Sequence, residues 1–511
     1  MMPVIKKSGY IELIIAAIAL LNVIAHLVFS YNLEYHRDEL LYFSLGSHPA
    51  FGYATVPPMI GWVAWIMQQL FGNSIFAVRL FPALMSGIMI YLVSALVKEL
   101  GGSSYARILA AIGSFISIFG LRSFLLFQPV HIDLIMWTLI LYFMLKYVNT
   151  EERRYLVILG AVVGFTLLNK YLVGILLFSL LIVVPFTKHR KVFRDKYFWY
   201  GVLAGFLVFL PNFIWQIVNG LPVINHFIEL KETQLVNVDG KSFLIEQLLI
   251  PGAASFLTVA GIIYLLFIKR AREYGFFGIV TISVIFILLL LHGKSYYTQG
   301  VFPFLIAAGA VAWGEILHRK LTQALFAVVI IIVSIPFFPI GVPVFGQERL
   351  VKHFAHIVDK YGMDFVCRFE DNSIHSLPQD YADMLGWEEL VAIADKGWKM
   401  IPDKNSAFIY CENYGQAGAV TVIGKKYGLP EAVCFSESFR YWIPEEFDPD
   451  IESALYINDE LGDDVQAIFR DIRKVGSISN PHAREYGTTV WLLRDPAESF
   501  NSFWKMRIRE L

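Results

Sequence analysis

Apolar runs of about 20 residues, each long enough to cross a bilayer as a helix, recur from the N-terminus to near residue 343 and then stop. Inside a bilayer the backbone must satisfy its own hydrogen bonds, so runs of this kind read as helices. The chain therefore reads as a polytopic α-helical membrane region, residues 1–343, followed by a soluble α/β domain, residues 344–511. Composition agrees: 56% of the 511 residues are hydrophobic and only 17% are charged, where a soluble chain carries about a quarter. The expected spans are 10–31, 79–98, 105–122, 127–147, 155–169, 171–187, 197–218, 244–268, 274–292, 299–316 and 321–341, about eleven helices. The pair 155–169 and 171–187 forms a tight hairpin around Asn169-Lys170-Tyr171. The first run is too long for a signal-peptide core and reads as a retained span.

The basic loops orient the spans. With Lys6-Lys7 inside, the inner loops hold Lys98 and Arg107, then Lys146, Arg153 and Arg154, then Lys188 to Lys196, then Lys269-Arg270 with Arg272, then Arg319-Lys320. The 32–78 loop and the C-terminal domain are then both external. That loop starts acidic (Glu34, Asp38, Glu39), turns at Gly52-Tyr53, passes Pro57-Pro58 and continues into apolar Met59–Phe71. The last stretch is too short to span and fits a helix in the interface, with Trp62 and Trp65 at the headgroups. Two interfacial helices are expected in the loop.

The soluble part holds 18 Lys and Arg against 28 Asp and Glu, a net −10, which leaves +9 for the membrane region. An acidic domain argues against a nucleic-acid partner. Its strands are expected at Ala407–Cys411, Ala432–Phe435 and Ala454–Ile457, with Val465–Lys474 and Thr488–Leu493 continuing an α/β alternation. Helices are expected at Trp387–Met400 and Gly415–Tyr427. The stretch Asn413-Tyr-Gly415-Gln-Ala-Gly418 lacks the G-x-G-x-x-G order and a phosphate-loop lysine, so it reads as a structural turn. Cys367, Cys411 and Cys434 have no metal-ligand spacing, and one disulfide or buried free thiols are both open.

Three groups of residues could carry chemistry. Asp38 and Glu39 follow His36-Arg37 at the mouth of the first span. A carboxylate there either sits at a helix N-terminus for the sake of the dipole or acts as a general base or metal ligand. Asp133 and His131, in Gln128-Pro-Val-His131-Ile-Asp133, lie at the outer end of an apolar helix, where an ionisable residue is a functional candidate. Arg122, Lys170 and Lys294 fall at outer ends of spans. Each alone fits snorkelling to headgroups, but three on one face could hold an anionic lipid phosphate. Tyr171, Tyr296 and Tyr297 stand beside two of them as donors. His226, in an outer loop with Glu229 and Glu232, has no ligand spacing that makes a metal site.

The segment HRDELLYFSLGSHPAFGYATVPPMIGW, followed by LFGNSIFAVRLFPAL, resembles the bacterial glycosyltransferase family 39, the protein-mannosyltransferase-like group of the GT-C class, which includes the lipid A aminoarabinose transferases. QPVHIDLIMWTLILYF, LLNKYLVGILL, LPNFIWQIVNGLPVINHF and GKSYYTQGVFPFLIAAGA agree with it, as does NYGQAGAV in the tail. The resemblance implies a GT-C-like enzyme of the bacterial cytoplasmic (inner) membrane. It would transfer a sugar, with inversion, from a polyprenyl-phosphate carrier to a lipid, glycan or protein acceptor outside the cytoplasm. It implies a catalytic role for Asp38, accompanied by Glu39, with Asp133 at the acidic position of the second motif. His131, Arg122, Lys170, Tyr171, His226, Lys294 and Tyr297 become candidate substrate-binding residues. Many relatives carry an acidic residue and a His or Lys before the Pro-Pro pair, tied to metal or carrier-phosphate binding. Thr55 and Val56 stand there in this chain, so a divalent metal is left open and its ligands unassigned.

Two other classes remain at this point. A transporter or flippase of lipid-linked sugars also has many spans, but such proteins show internal repeats and charges near the midplane, which this sequence does not. A binding module on a membrane anchor would need far fewer spans.

Overall fold

The computed structural model describes residues 2–509. The chain forms two compact units. One comprises the chain up to Ser30, Val56–Met59 and Arg79–Val344, and the other comprises Tyr31–Thr55, Ile60–Val78 and the chain from Phe345 onward.

The first unit is a helical membrane region. Among the described residues, seven helices are long and apolar enough to cross a membrane: Gly9–Asn32, Ile75–Glu99, Pro129–Thr150, Lys196–Val218, Lys269–Leu290, Ser295–Ile316 and Lys320–Gly341. Two bent pairs, Val173–Phe186 with Lys188–Arg194 and Gly240–Leu249 with Gly252–Phe267, raise the number to nine if each is one span. Of the eleven or so segments expected as spans, seven to nine have that length and composition among the described residues. The segments expected at 105–122 and 155–169 are helical, but as Ser104–Ile116 and Arg154–Leu167 they hold 13 and 14 residues. The physical reason is backbone breaks that hydropathy does not register. Ser117 is extended (φ −70°, ψ 130°), which ends one helix and starts another. The Phe119 amide is then satisfied from afar by the Ile250 carbonyl, at 3.1 Å. Pro251 supplies no amide and Gly252 takes φ +60°, which bends the second pair by 88°.

Close helix approach in this unit relies on glycine. A Cβ on Gly160 would lie 1.9 Å from the Gly201 carbonyl oxygen, and one on Gly205 would lie 2.5 Å from that of Gly160. The four-residue spacings Gly160/Gly164 and Gly201/Gly205 therefore let Arg154–Leu167 and Lys196–Val218 meet backbone to backbone. Trp137, Phe243, Phe277 and Phe304 are buried in the core.

The second unit is a mixed α/β domain around a four-stranded sheet. Its strands are β1 (Ala407–Cys411), β2 (Ser453–Asn458), β3 (Phe469–Ser477) and β4 (Thr489–Pro496), in the order β1-β2-β4-β3. β1 and β2 are parallel, while β4 is antiparallel to both its neighbours. Phe408, Phe447, Phe500 and Trp504 pack one face. The strand expected at Ala432–Phe435 is reduced to one bridge between Tyr410 and Val433. The chain turns off after Cys434, whose Sγ accepts the Ser436 amide at 3.3 Å. The expected segment Val465–Lys474 divides into a helix, Asp463–Ile468, and the start of β3. All three cysteines are buried free thiols, and burial pushes the Cys434 thiol up to about 12.

The loop segments of this unit are ordered by their own polar contacts. Met59–Phe71 is a helix of 13 residues that buries Ile60, Gly61, Ala64 and Met67 and exposes Trp65, Ile66, Leu70 and Phe71. Trp65 thus suits a lipid interface. Trp62 instead turns inward: its indole N–H donates to the Ala50 carbonyl at 2.8 Å, and its ring meets Phe51 edge-on.

Candidate active site

The HRDE segment starts a helix, Arg37–Ser44. His36 is its N-cap. The His36 Nδ1 accepts the Asp38 amide at 3.0 Å, and the Glu39 carboxylate accepts the His36 amide at 2.8 Å. These two bonds form a capping box, with His in the place usually held by Ser or Thr. Neighbouring carboxylates therefore have different roles. Glu39 is fully buried and serves the backbone, while the Asp38 carboxylate takes no part in the cap.

Asp38 instead meets the helix Tyr414–Val422. The Tyr414 hydroxyl donates to Asp38 Oδ1 at 3.0 Å. That helix is capped by Asn413, whose Oδ1 accepts the Gly415 and Gln416 amides at 2.9 and 3.1 Å. Gln416 and Asn413 both donate to buried Glu485. Arg37 lies over the Tyr414 ring, 4.4 Å from its centroid. Burial works against the Arg37 charge, but Tyr414 and the carboxylates of Glu485, Asp383 and Asp38 outweigh it and raise its pKa. Burial, with Asp38 adding to it, pushes the Tyr414 hydroxyl well above its ordinary value, so it keeps its proton. Two glycines seat the helices on each other. A Cβ on Gly415 would lie 2.7 Å from Arg37 Cγ, and one on Gly418 would lie 2.8 Å from the Leu40 carbonyl carbon. The glycine-rich stretch is a capped helix start against which the Asp38 helix rests.

His36 also belongs to a candidate metal cluster. Its Nε2 lies 3.7 Å from Asp380 Oδ1 and 3.9 Å from Asp383 Oδ2. One ligand atom from each residue falls within 4.8 Å of the others, so the set is able to coordinate a divalent metal. Two features set the terms for an ion there. Nδ1 accepts the Asp38 amide, so the proton of the neutral ring sits on Nε2, facing the carboxylates. Ligation at Nε2 would move that proton to Nδ1 and break the helix cap, the reverse of the usual arrangement in which the second ring nitrogen donates outward. Arg484 also pairs with Asp383 at 3.2 Å. Number and spacing suit a small cation; the ring tautomer opposes it.

Just before Pro57-Pro58, the Thr55 hydroxyl donates to the Glu437 carboxylate, and the Ala54 amide donates to Ser438 Oγ at 3.1 Å. Glu437 has φ +54°, a left-handed conformation unfavourable for a residue with a Cβ.

The membrane unit holds a second constellation. Asp133 is buried in the helix Pro129–Thr150 and interacts electrostatically with Lys170. Lys170 Nζ lies 5.0 Å from the Tyr297 ring centroid and 5.7 Å from that of Tyr296, and Lys294 Nζ lies 6.0 Å from that of Tyr296. Asn169 anchors the turn by donating to the Pro129 carbonyl at 2.9 Å. Asp133, Lys170, Lys294 and Tyr297 are thus brought together. The other candidates lie elsewhere in their elements. Arg122 is in the short helix Ile118–Ser123. His131 is fully buried between Phe81 and Phe127. The Tyr171 hydroxyl donates to Asn212 and accepts from Gln216. His226 is on Pro222–Thr233, beside Phe227. Tyr414, Asp380, Asp383 and Glu437 were missed from the sequence. Only the Asn413-x-x-Gln416 capping pattern could have drawn attention to Tyr414.

These placements can be set beside known proteins. A family described as dolichyl-phosphate-mannose-protein mannosyltransferase matches residues 55–215. The solved structure of ArnT from Cupriavidus metallidurans bound to undecaprenyl phosphate is similar over 95% of this chain and 98% of that one, with a TM-score of 0.59 and 15% identity. The chain has the fold of that structure. The Archaeoglobus fulgidus oligosaccharyltransferase in complex with Zn and sulfate is similar over 87% of this chain and 67% of that one, with a TM-score of 0.53 and 13% identity. The mycobacterial arabinofuranosyltransferase AftD is similar over 94% of this chain and 40% of that one, with a TM-score of 0.50 and 10% identity. No curated protein matches by sequence. The GT-C resemblance drawn from the sequence therefore holds at the level of fold, in a multi-pass membrane region joined to a mixed α/β domain.

Proposed function

We propose that the chain is an integral membrane glycosyltransferase of the bacterial cytoplasmic membrane, with residues 344–511 as an external domain. It moves a sugar from a polyprenyl-phosphate carrier to a hydroxyl of a lipid, glycan or protein acceptor, with inversion. The observation that carries this reading is Asp38: a carboxylate on a rigid, capped helix, in a motif whose other acid, Glu39, is engaged by the backbone. The whole-chain likeness to a transferase bound to undecaprenyl phosphate supplies the donor class.

The acceptor oxygen attacks the anomeric carbon, the bond from that carbon to the carrier phosphate breaks, and polyprenyl phosphate leaves with the electron pair. The acceptor's proton passes to the Asp38 carboxylate. A phosphate ester leaves readily without a general acid, so the useful groups are a base and positive charge on the departing phosphate. Lys170 and Lys294 supply that charge, with Asp133 positioning Lys170 and Tyr297 giving the cation an aromatic wall. A divalent metal held by His36, Asp380 and Asp383 would add positive charge at the cost of the helix cap.

Two measurements test this reading. Mass spectrometry of lipid and protein glycans with and without the gene should show one glycoform lost on deletion; no change in either pool counts against transfer. Lys170→Met should raise the KM for undecaprenyl-phosphate hexoses or pentoses by roughly ten- to a hundredfold, the range for a lost hydrogen bond to a charged group. An unchanged KM removes Lys170 from the phosphate site.

A further inference from the structure

We propose that Tyr414, from the C-terminal part of the chain, is a positioning residue for the Asp38 carboxylate, so that the α/β domain completes the catalytic base. This rests on the reading of Asp38 as the base.

Asp38 and Tyr414 are 376 residues apart in sequence and belong to one compact unit. The hydroxyl donates to Oδ1 at 3.0 Å. A carboxylate on a helix still turns about its side-chain torsions, and a base works only when an oxygen is within hydrogen-bond reach of the proton it takes. A fixed donor on one oxygen limits that rotation.

The donor is itself held from three sides. Asn413 fixes the start of its helix through two backbone amides, and buried Glu485 holds Asn413 and Gln416 in turn. Arg37, the residue before Asp38, lies over the ring, 4.4 Å from its centroid. The absence of a Cβ at Gly415 leaves room for Arg37 Cγ and the Trp387 ring. Burial keeps the phenol protonated, so it acts as a donor at every pH at which a carboxylate base works. The arrangement has the form of a base oriented by a third group. Both halves come from segments that the sequence makes conspicuous for other reasons: the HRDE run and NYGQAGAV.

A bond of this kind also occurs for stability alone, and the test separates the two roles. Tyr414→Phe keeps the ring, its packing and the contact with Arg37, and removes only the hydroxyl. Transfer of label from undecaprenyl-phosphate hexoses and pentoses into total membrane lipid and protein is measured for wild type, Tyr414→Phe and Asp38→Asn, each matched for folded protein. Tyr414→Phe should lower kcat by roughly ten- to a hundredfold with the donor KM unchanged. A base that has lost its orienting donor turns over more slowly but binds the donor lipid as before, so kcat and KM should separate. If Asp38→Asn is inactive while Tyr414→Phe matches wild type in kcat, the positioning role is overturned and the base assignment stands. If Tyr414→Phe loses thermal stability and raises the donor KM as it lowers kcat, its role is structural and the proposal is overturned. If Asp38→Asn is fully active, the base assignment falls and takes this proposal with it.

Discussion

Asp38→Asn should leave the protein folded and remove sugar transfer. The asparagine oxygen can still accept from Tyr414, and the amide of residue 38 still caps the helix through His36. The hydrogen bond to Tyr414 and the helix cap are kept, and the carboxylate charge beside Arg37 is lost. What disappears is the ability to take a proton. General-base contributions are about 10²–10⁴-fold in rate, so turnover should drop by that factor with little change in the donor KM. Glu39→Ala should do the opposite. It removes half of a capping box from a fully buried position and should lower stability by about 1 kcal/mol or more. Thermal melting beside turnover distinguishes the two carboxylates. A melting loss in Asp38→Asn equal to that of Glu39→Ala would make Asp38 a structural residue.

The second large effect is expected at Gly418. A Cβ there would lie 2.8 Å from both the carbonyl carbon and the Cβ of Leu40, and 3.0 Å from the Leu40 oxygen. Two of these atoms are backbone, which cannot rotate aside as the tip of a side chain can. Gly418→Ala must therefore push the helix Arg37–Ser44 away from Tyr414–Val422. Overpacking of this kind costs typically about 1–3 kcal/mol. The functional cost should be larger than the loss of stability suggests, because the displaced helix carries Asp38. A shift approaching 1 Å at a catalytic group can cost about a hundredfold in rate. Gly174→Ala is the control: a Cβ at Gly174 meets nothing within 4 Å, and both activity and melting should stay at wild-type values. Wild-type turnover in Gly418→Ala would show that the seat of the Asp38 helix does not matter for the reaction.

The membrane region was legible because its signal is local. Hydropathy placed the seven long apolar helices within a few residues, and the fold brings Lys170 and Lys294 to the Tyr296 ring. What hydropathy could not register were the breaks. Ser117 and Pro251-Gly252 interrupt apolar runs without changing their composition, and the freed Phe119 amide finds its partner 131 residues away at Ile250. The candidate base was legible for another reason. Asp38 stands in a charged motif at the end of a span, so sequence and resemblance single it out together. Its setting was not legible. No local pattern joins His36 to Asp380 and Asp383, or Asp38 to Tyr414, since those pairings exist only once the first loop packs with the C-terminal part of the chain. Gly415 and Gly418 show the same limit. Their spacing excludes a phosphate loop, but the reason for glycine, the close approach of Arg37 and Leu40, exists only in three dimensions.

The most direct test is a reconstituted transfer reaction. Purified protein in liposomes would be given undecaprenyl-phosphate hexoses and pentoses with an extract of membrane lipid and protein as acceptor. Release of undecaprenyl phosphate and the anomeric configuration of the product would be followed. Wild type should release the carrier phosphate in step with an inverted glycoside, and Asp38→Asn, equally folded, should do neither. Release by Asp38→Asn at the wild-type rate, or a product with retained configuration, would contradict a single-displacement transferase with Asp38 as its base.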